Sequence, residues 1–428
     1  MQAHTTEGRP RPPARVGRPP LPLATSRNFD RERAAMAALS ERTTLAASKI
    51  GGVVGPGFEA LRDAFATSFV SGDNIGASLC AFIDGQPVVD LWGGFKDHGF
   101  SEPWTRDTLV NTFSCTKTQT AIAALLLADR GELDLDAPVA KYWPAFAAEG
   151  KSAVLVRHLL AHASGVPGWY GPITWDDVYD AEKSCAILAA QAPKWAPGTA
   201  SGYHGVNYGH LVGEVIRRIT GLSLGRFYAT EVAGPLGADF HIGVGPELDP
   251  RVAPVLQGVP KGRPSGLNTL QDISYFNPYM PPPLTFTRAW RRAEIGGANG
   301  HGSAHGLATA LSALACGGAN GRRLLSEAGR MAALQTQTDG VDLCLGIPVR
   351  WGLGFATQTP LFANARRHRV AYWAGNGGSL AMVDVDARAS FAFVMNRWLE
   401  GPFEAMRNTA LFEAFNQCLD AMNPEGRA

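Results

Sequence analysis

Apolar residues near the start of the chain predict an amphipathic helix and a β-hairpin. They recur at three- and four-residue spacing over 58–69, which indicates a helix with one buried face. Two further apolar runs, 77–83 and 87–91, have the alternation and the β-branched residues typical of strands. Asp84-Gly85 between them is a common two-residue hairpin turn, so we expect the two strands to pair.

The rest of the chain predicts helices first and strands later. Residues from about 118 to 310 are mostly helical in periodicity, strands return after them, and a last helix is predicted over 403–422. A second hairpin is predicted at Asp386-Ala387-Arg388. The sequence thus indicates an α+β fold, in which terminal helices flank an antiparallel sheet. A helical lobe over about 118–310 is inserted in it, with a small-molecule cleft at the seam.

Composition narrows the class of protein. The 428 residues are 45% hydrophobic and 18% charged with a formal net charge of +1, so nothing favours binding to nucleic acid or to an anionic membrane. No stretch approaches the roughly 18 uninterrupted apolar residues of a membrane span, and the Pro/Arg-rich start lacks the apolar segment of a signal peptide. We therefore expect a disordered leader and linker over 1–50, one domain over 51–428 and a cytoplasmic location. The leader is either a plain extension or a Pro-rich docking peptide, and the oligomeric state is left open.

Ser114 and Lys117 give the first chemical signal. An apolar, β-branched segment precedes them and an Ala/Leu-rich helix follows, so Ser114 is expected in the first helical turn, where free N–H groups favour negative charge. Lys117 lies one turn on, on the same face, and a neutral lysine can take the proton of a serine nucleophile. On spacing alone, a helix-capping serine and a solvated lysine fit as well.

Two glycine-rich segments offer the partners that a serine nucleophile needs. Tyr203 lies where the segment 197–209 runs into a helix over 210–219, and its phenol could relay a proton to a leaving group. The segment 372–379 leads into a strand, and the backbone N–H of Asn376 could donate to an oxyanion.

Together these residues resemble the serine β-lactamase and penicillin-binding protein superfamily, and most closely the family VIII carboxylesterases, which are similar to class C β-lactamases. The resemblance covers roughly Gly52 to Asn416. It includes further segments in the same order, at 55–58, 88–94, 126–134, 156–165, 298–302 and 351–354.

The resemblance implies a role for each motif residue. Ser114 would be the acylated nucleophile, Lys117 its proton acceptor, and Tyr203 the general base and acid. The backbone N–H groups of Ser114 and Asn376 would form the oxyanion hole. Whether Lys117 or Tyr203 is the principal base stays open, and a cationic Lys117 would favour a tyrosinate at Tyr203.

Two departures from the lactamase pattern bear on substrate. Where lactamases have Tyr-x-Asn, this chain has Tyr203-His204-Gly205, so a side-chain amide is missing unless Asn207 supplies it. Where lactamases have Lys-Thr-Gly, it has Trp373-Ala374-Gly375, and tryptophan offers an apolar surface and one N–H but no charge. Trp-x-Gly is a form seen in family VIII esterases, so the resemblance implies neutral esters, with Trp373 and Gly375 at the substrate.

A long aromatic, proline-rich segment over 274–284 is a further element of the expected pocket. Long loops in compact domains are often functional, so we expect this segment to wall the site together with Trp169 and Tyr170. A surface loop that packs its aromatic residues on the helical lobe is the alternative.

Three other patterns are interpreted as structural. Gly221-Leu222-Ser223-Leu224-Gly225 matches the nucleophile-elbow motif, but a helix rather than a strand precedes it, so Ser223 is expected to cap a helix. The histidine pairs at 158/162 and 301/305 lack a neighbouring Glu and a third ligand, so no metal and no cofactor are expected. The six cysteines have no paired spacing and fit small buried residues.

The leading functional hypothesis is a serine carboxylesterase that hydrolyses small neutral esters through an acyl-Ser114 intermediate. The alternative is a transacylase of secondary metabolism that passes the acyl group to an alcohol or amine acceptor. A β-lactamase or D-aminopeptidase activity is less favoured. A non-catalytic penicillin-binding-like module is also less favoured, because it has no need of all three motif residues.

Overall fold

The computed structural model describes residues 43–256, 269–360, 369–398 and 408–422. Most of the leader expected over 1–50 and the start of the helix expected over 403–422 lie outside these ranges. Within them the helices are α1 Glu59–Val70, α2 Thr116–Asp129, α3 Val156–Leu160, α4 Trp175–Tyr179, α5 Ala181–Ala190, α6 Tyr208–Thr220, α7 Leu224–Tyr228, α8 Gly234–Leu236, α9 Thr269–Tyr275, α10 Arg288–Arg292, α11 Ala304–Cys316, α12 Glu327–Leu334 and α13 Thr409–Met422.

The strands form one large sheet and two small ones. They are β1 Gly51–Val54, β2 Gly76–Ile83, β3 Gln86–Gly94, β4 Leu109–Asn111, β5 Phe240–Ile242, β6 Val252–Ala253, β7 Gly300–Gly302, β8 Gly318–Ala319, β9 Arg322–Arg323, β10 Thr338–Val341, β11 Pro348–Trp351, β12 Ala356–Gln358, β13 Val370–Ala374, β14 Leu380–Asp384 and β15 Ala389–Met395. The large sheet is antiparallel throughout, with the order β1-β3-β2-β15-β14-β13-β12-β11-β10.

Successive side chains of the central strands of the large sheet point to opposite sides, and an apolar cluster covers each face. In β2, Leu79 and Ala81 pack into the apolar cluster that contains α1 and α13. Cys80 and Phe82 of the same strand pack into the other cluster, with α2, α6 and α11. The expected α+β fold and both predicted hairpins, β2–β3 and β14–β15, are confirmed.

The region between β3 and β10 is mostly helical, as expected, but it also holds a sheet that the sequence did not predict. This sheet has the order β5-β7-β4-β6, and its strands are only two or three residues long. The last residue of β4, Asn111, lies three residues before Ser114, and the Gly300 carbonyl of β7 accepts the N–H of Thr112 at 2.8 Å. The small sheet therefore anchors the turn that carries Ser114.

None of the helices in the described ranges combines the length and the apolar composition needed to cross a membrane.

Candidate active site

Ser114 occupies a turn between β4 and α2. The preceding residue, Phe113, has φ of +46°, which is unfavourable for a residue with a side chain, and its ring lies 5.2 Å from that of Trp398. Every residue from Thr108 to Leu127 is buried except Ser114, which is partly exposed. A single hydroxyl is therefore presented to the outside from a buried run, as a nucleophile must be.

Lys117 is buried within α2, and its ammonium or amine group has three oxygen neighbours. Its Nζ lies 3.1 Å from Ser114 Oγ, 2.7 Å from the Gly205 carbonyl and 2.6 Å from the Gly297 carbonyl. Burial holds the pKa of Lys117 well below its usual value, so the neutral amine is favoured. A neutral amine has two N–H donors for the two carbonyls, which leaves its lone pair for the Ser114 hydroxyl proton.

Tyr203 completes a compact group with these two residues. Lys117 Nζ lies 4.6 Å from the centre of the Tyr203 ring, and the Ser114 side chain is near enough to the phenol to lower its pKa, against the larger effect of burial. The indole Nε1 of Trp373 donates to the Tyr203 phenol oxygen at 2.9 Å. The structure thus brings Tyr203 and Trp373 to the turn that carries Ser114 and Lys117, although these three segments are far apart in the chain.

The pKa of the Tyr203 phenol changes the expectation of a tyrosinate. Burial raises this pKa well above its usual value, and the hydrogen bonds from Ser114 and Trp373 offset only part of that effect. Because burial also favours neutral Lys117, no ammonium beside Tyr203 stabilises a phenolate. Both pKa shifts favour a neutral lysine next to a protonated tyrosine over a cationic lysine next to a tyrosinate, an alternative that the sequence left open.

The loop that carries Tyr203 is fixed from several sides. Ser274 Oγ donates to the Tyr203 carbonyl at 2.5 Å and accepts the N–H of Gly205 at 3.1 Å. His162 follows α3, is fully buried with φ of +59°, and its Nδ1 accepts the N–H of His204 at 3.1 Å. Its ring lies 4.9 Å from that of Tyr203, so this histidine packs directly on the site.

The two expected oxyanion donors are both free to bind a ligand. Within the described part of the chain, neither the N–H of Ser114 nor that of Asn376 makes a hydrogen bond. Gly375, before Asn376, comes so close to the Ser114 turn that a Cβ there would lie 2.1 Å from the Thr112 carbonyl oxygen. The approach of the segment after β13 to the turn therefore requires glycine at this position, while a contact of Gly375 with substrate stays a prediction.

The structure gives a steric reason for the missing amide of the second motif. A Cβ at Gly205 would lie 2.3 Å from the Ser274 carbonyl oxygen, so an asparagine does not fit there. Asn207 does not replace it in the observed arrangement, because its side chain is fully buried and its amide nitrogen donates to the Val166 carbonyl at 2.9 Å. A substrate contact of Asn207 remains a prediction without a supporting contact.

The expected pocket wall has a different composition from the one predicted. Tyr275 stacks on Tyr203 with ring centres 5.6 Å apart, so the start of the segment 274–284 does border the site. Trp169 is a buried core residue that donates to the Ser184 carbonyl, and the Tyr170 hydroxyl donates to the Gly165 carbonyl. Asn277 ties the two segments together through the Trp169 carbonyl, so Trp169 and Tyr170 support the loop rather than contact Tyr203.

Ser223 has the capping role that the sequence indicated. It precedes α7 as N-cap, accepts the N–H of Arg226 at 3.3 Å and donates to Glu294 at 2.8 Å. The preceding helix α6 ends at Gly221 with φ of +74°. The nucleophile-elbow motif is therefore coincidental here.

One cluster outside the site contains potential metal ligands. Cys80, Asp90 and His305 place donor atoms within 4.8 Å of one another. Arg106 donates to the Asp90 carboxylate at 2.8 Å and also contacts the His305 ring, so a guanidinium already supplies the positive charge there. All six cysteines are free thiols, and burial raises the pKa of Cys115 beside the nucleophile, which keeps that thiol protonated.

Comparison with known proteins gives the class of this fold and site. The Beta-lactamase family model matches residues 58–415, and the chain belongs to this family. Esterase/beta-lactamase LipL of Mycobacterium tuberculosis is 32% identical over 373 residues, which cover 83% of this chain and 84% of LipL. Esterase EstB of Burkholderia gladioli is 28% identical over 360 residues, which cover 76% of this chain and 87% of EstB.

A solved structure supports the same assignment. The crystal structure of a family VIII carboxylesterase superposes with a TM-score of 0.82 at 40% identity and covers 86% of this chain and 100% of its own. The expected β-lactamase-like serine hydrolase that resembles family VIII carboxylesterases is therefore confirmed at the level of family and fold.

Several residues of the site were missed by sequence reasoning. Trp351 stacks nearly parallel to Tyr203 and also contacts Trp373, while the Gly297 carbonyl binds Lys117. Asp342 is fully buried and binds the N–H of Tyr203. In the sequence Asp342 lies between Val341 and Leu343, and a carboxylate between apolar residues indicates a buried, hydrogen-bonded acid.

Proposed function

We propose that this protein is a serine carboxylesterase that hydrolyses small neutral esters through an acyl-Ser114 intermediate. The observation that carries the proposal is the buried Lys117, whose amine has two carbonyl acceptors and one serine hydroxyl as neighbours. Such an amine is a base that is ready at neutral pH. The names of LipL, EstB and the family VIII carboxylesterase support the choice of esters as substrates.

Acylation follows from the positions of the three side chains. Lys117 takes the Ser114 proton as Oγ attacks the ester carbonyl, and the N–H groups of Ser114 and Asn376 donate to the oxyanion. Collapse of this intermediate breaks the bond to the alcohol oxygen. Tyr203 then gives its proton to the departing alkoxide and regains one from the neighbouring Lys117 ammonium, whose Nζ lies 4.6 Å from the centre of the Tyr203 ring.

Deacylation uses the same groups in reverse order. Water takes the place of the alcohol, Tyr203 and Lys117 together accept its proton, and the carboxylic acid leaves as Ser114 Oγ is reprotonated.

The preference for neutral substrates rests on the surroundings of the Tyr203 phenol. The rings of Trp351, Trp373 and Tyr275 are among those that pack on the ring of Tyr203. The Trp373 N–H is used by the phenol oxygen, and Trp373 stands where a lactamase has a cationic lysine. A carboxylate on the substrate would therefore lose its water without gaining a charged partner at this position.

The test compares wild type with Ser114→Ala on p-nitrophenyl butyrate, with Ser223→Ala as the matched serine control. We expect Ser114→Ala to lose roughly 10⁴-fold or more of kcat and Ser223→Ala to keep full activity. Rapid acid quenching of wild type should give a protein mass increased by one butyryl group, which is absent in Ser114→Ala. Equal activity of wild type and Ser114→Ala would refute the assignment.

The same experiment separates hydrolysis from acyl transfer. Reactions with added alcohols or amines are analysed by product mass, and free butyric acid should dominate. Predominant butyryl transfer to an acceptor would replace the esterase with the transacylase alternative. A charged β-lactam offered as a competing substrate should be turned over far more slowly than the neutral ester.

A further inference from the structure

Asp342 is a buried carboxylate that links the Tyr203 loop to the large sheet. It follows β10 at the start of the turn to β11 and is fully buried. Its Oδ1 accepts the N–H groups of Tyr203 at 2.9 Å, Cys344 at 3.0 Å and Leu345 at 2.9 Å. Its Oδ2 accepts the indole N–H of Trp351 at 3.2 Å.

The carboxylate has no cationic partner among the residues that the structure describes. Burying a charge without a counterion is costly, and here four N–H donors stand in for one. A neutral residue would avoid that cost if the role were only to fill space. Two of the four donors belong to Tyr203 and Trp351, so the carboxylate is tied to the surroundings of the phenol.

Both carboxylate oxygens act on the surroundings of the Tyr203 phenol. One holds the Tyr203 main chain, and the other holds Trp351, whose ring lies 6.0 Å from that of Tyr203 at an interplanar angle of 12°. Trp351 also packs on Trp373 with ring centres 4.6 Å apart, and Trp373 donates to the phenol oxygen. Asp342 thus fixes the phenol from its backbone end and through two successive rings.

We propose that Asp342 is a positioning residue that holds the Tyr203 phenol in place to protonate the leaving alcohol. The proposal rests on the esterase function proposed above and goes beyond it, because it assigns a role to a residue outside the sequence motifs. Asp342 contacts neither Ser114 nor Lys117 among its described hydrogen bonds, so it acts through Tyr203.

Asp342 contributes to the electrostatic surroundings of Tyr203 as well. Burial is the largest cause that raises the pKa of the Tyr203 phenol, and the nearby Asp342 acts in the same direction. The other titratable groups that face Tyr203 are Lys117, Cys115, His162, Tyr208 and Tyr275. Burial favours the neutral forms of Lys117 and His162, so the role of Asp342 rests on its hydrogen bonds and not on a charge pair.

The test compares esters that differ only in how much their leaving group needs a proton. p-Nitrophenolate leaves without protonation, whereas the ethoxide oxygen must be protonated as ethanol departs. The ratio of kcat/KM for p-nitrophenyl butyrate and ethyl butyrate therefore reports general-acid catalysis in the acylation step. The variants are Asp342→Asn, Tyr203→Phe, their combination, and Asp339→Asn as the matched control, an exposed acid on β10 that pairs with Arg350.

We expect Asp342→Asn to lower kcat/KM about 10- to 100-fold on ethyl butyrate and less than about threefold on p-nitrophenyl butyrate. Tyr203→Phe should change the ratio in the same direction, and adding Asp342→Asn to it should have little further effect, because both act at one step. Asp339→Asn should leave both rates unchanged. Equal losses on the two esters, or additive effects with Tyr203→Phe, would overturn the proposal.

Trp351→Phe covers the case in which Asp342→Asn does not fold, as judged by near-ultraviolet circular dichroism. This substitution keeps an aromatic ring at position 351 but removes the indole N–H that donates to Asp342 Oδ2. It should change the ester ratio in the same direction by a few-fold. An unchanged ratio in folded Trp351→Phe would then count against the proposal. A wild type that hydrolyses neither ester would instead refute the esterase function itself, so the two failures are distinguishable.

Discussion

Lys117 and Lys151 are two buried lysines with similar first neighbours and different consequences. Each is almost completely buried and donates to two backbone carbonyls, and burial lowers the pKa of both. The carbonyls belong to Gly205 and Gly297 for the first lysine and to Ala148 and Gln191 for the second.

The difference lies in the remaining neighbours. Lys117 has the Ser114 hydroxyl at 3.1 Å, whereas Lys151 Nζ lies 5.3 Å from the centre of the Phe146 ring. The carboxylate of Glu149 opposes the effect of burial on Lys151, whereas no carboxylate does so for Lys117. Burial and carbonyl partners therefore hold a lysine in place. A lysine that acts as a base also needs an adjacent hydroxyl proton, and it should lack a nearby carboxylate that would favour its ammonium form.

The largest expected effect comes from removing each amine in turn. Lys117→Met should lower kcat about 10²- to 10⁴-fold, because the proton of Ser114 loses its acceptor. Lys151→Met should keep kcat within about threefold, since no reacting atom lies near it. Steady-state kinetics on p-nitrophenyl butyrate, with circular dichroism of both variants, checks this. A similar loss of kcat in both folded variants would erase the contrast between the two lysines.

The pH profile should sharpen the contrast next. A base works only when it is unprotonated, and burial lowers the pKa of Lys117 from 10.5. We therefore expect kcat/KM to stay constant well below pH 10.5 and to fall tenfold per pH unit only below the pKa of Lys117. Lys151→Met should leave this acid limb in place. A rate that keeps rising up to pH 10 would mean that Lys117 is protonated at neutral pH.

A smaller effect is expected from the indole that binds Tyr203. Trp373→Phe keeps the apolar surface but removes the donor to the phenol oxygen, so kcat/KM should fall about 3- to 10-fold, the value of one neutral hydrogen bond. Trp175→Phe is the matched control, because its indole also donates, to the Tyr279 carbonyl at 2.8 Å. Identical kinetics for Trp373→Phe and wild type would show that the Trp373 N–H does not contribute to catalysis.

The smallest effect on activity is expected at Ser223. The Ser223 hydroxyl donates to the Glu294 carboxylate and caps α7, whereas the Ser114 hydroxyl lies next to the Lys117 amine. Like Lys151, Ser223 therefore has a structural role. Ser223→Ala should leave kcat/KM unchanged and lower the free energy of unfolding by about 1 kcal/mol, the usual cost of a lost N-cap. Denaturant titration measures the second quantity, and a loss of activity without a loss of stability would contradict the assignment.

Local patterns in the sequence were sufficient for part of this arrangement. Ser114 and Lys117 are one helical turn apart, so their proximity follows from helix geometry alone. The hairpin at Asp84-Gly85 and the helix end at Gly221 follow from residues that favour those turns. In each case the interacting residues are close in the chain.

Contacts between distant segments were not predictable in the same way. Asp342 binds the N–H of Tyr203 across 139 positions, and nothing in either local pattern refers to the other. The Gly297 carbonyl that binds Lys117 is a backbone atom, which every residue type possesses. The strands β5, β6 and β7 are too short to give an alternating pattern, and tertiary contacts decide their conformation.

The pairing of β2 with β15 has a consequence for how the protein is made. These central strands of the large sheet start at Gly76 and end at Met395, so they are separated by most of the chain. A nascent chain on the ribosome can form helices early, but β2 cannot pair in the middle of this sheet until β15 has been synthesised. Because β13, beside the Ser114 turn, belongs to the late strands, a growing polypeptide acquires its nucleophile long before it can use it. Catalytic competence should therefore arise only after β13 and β15 have been translated.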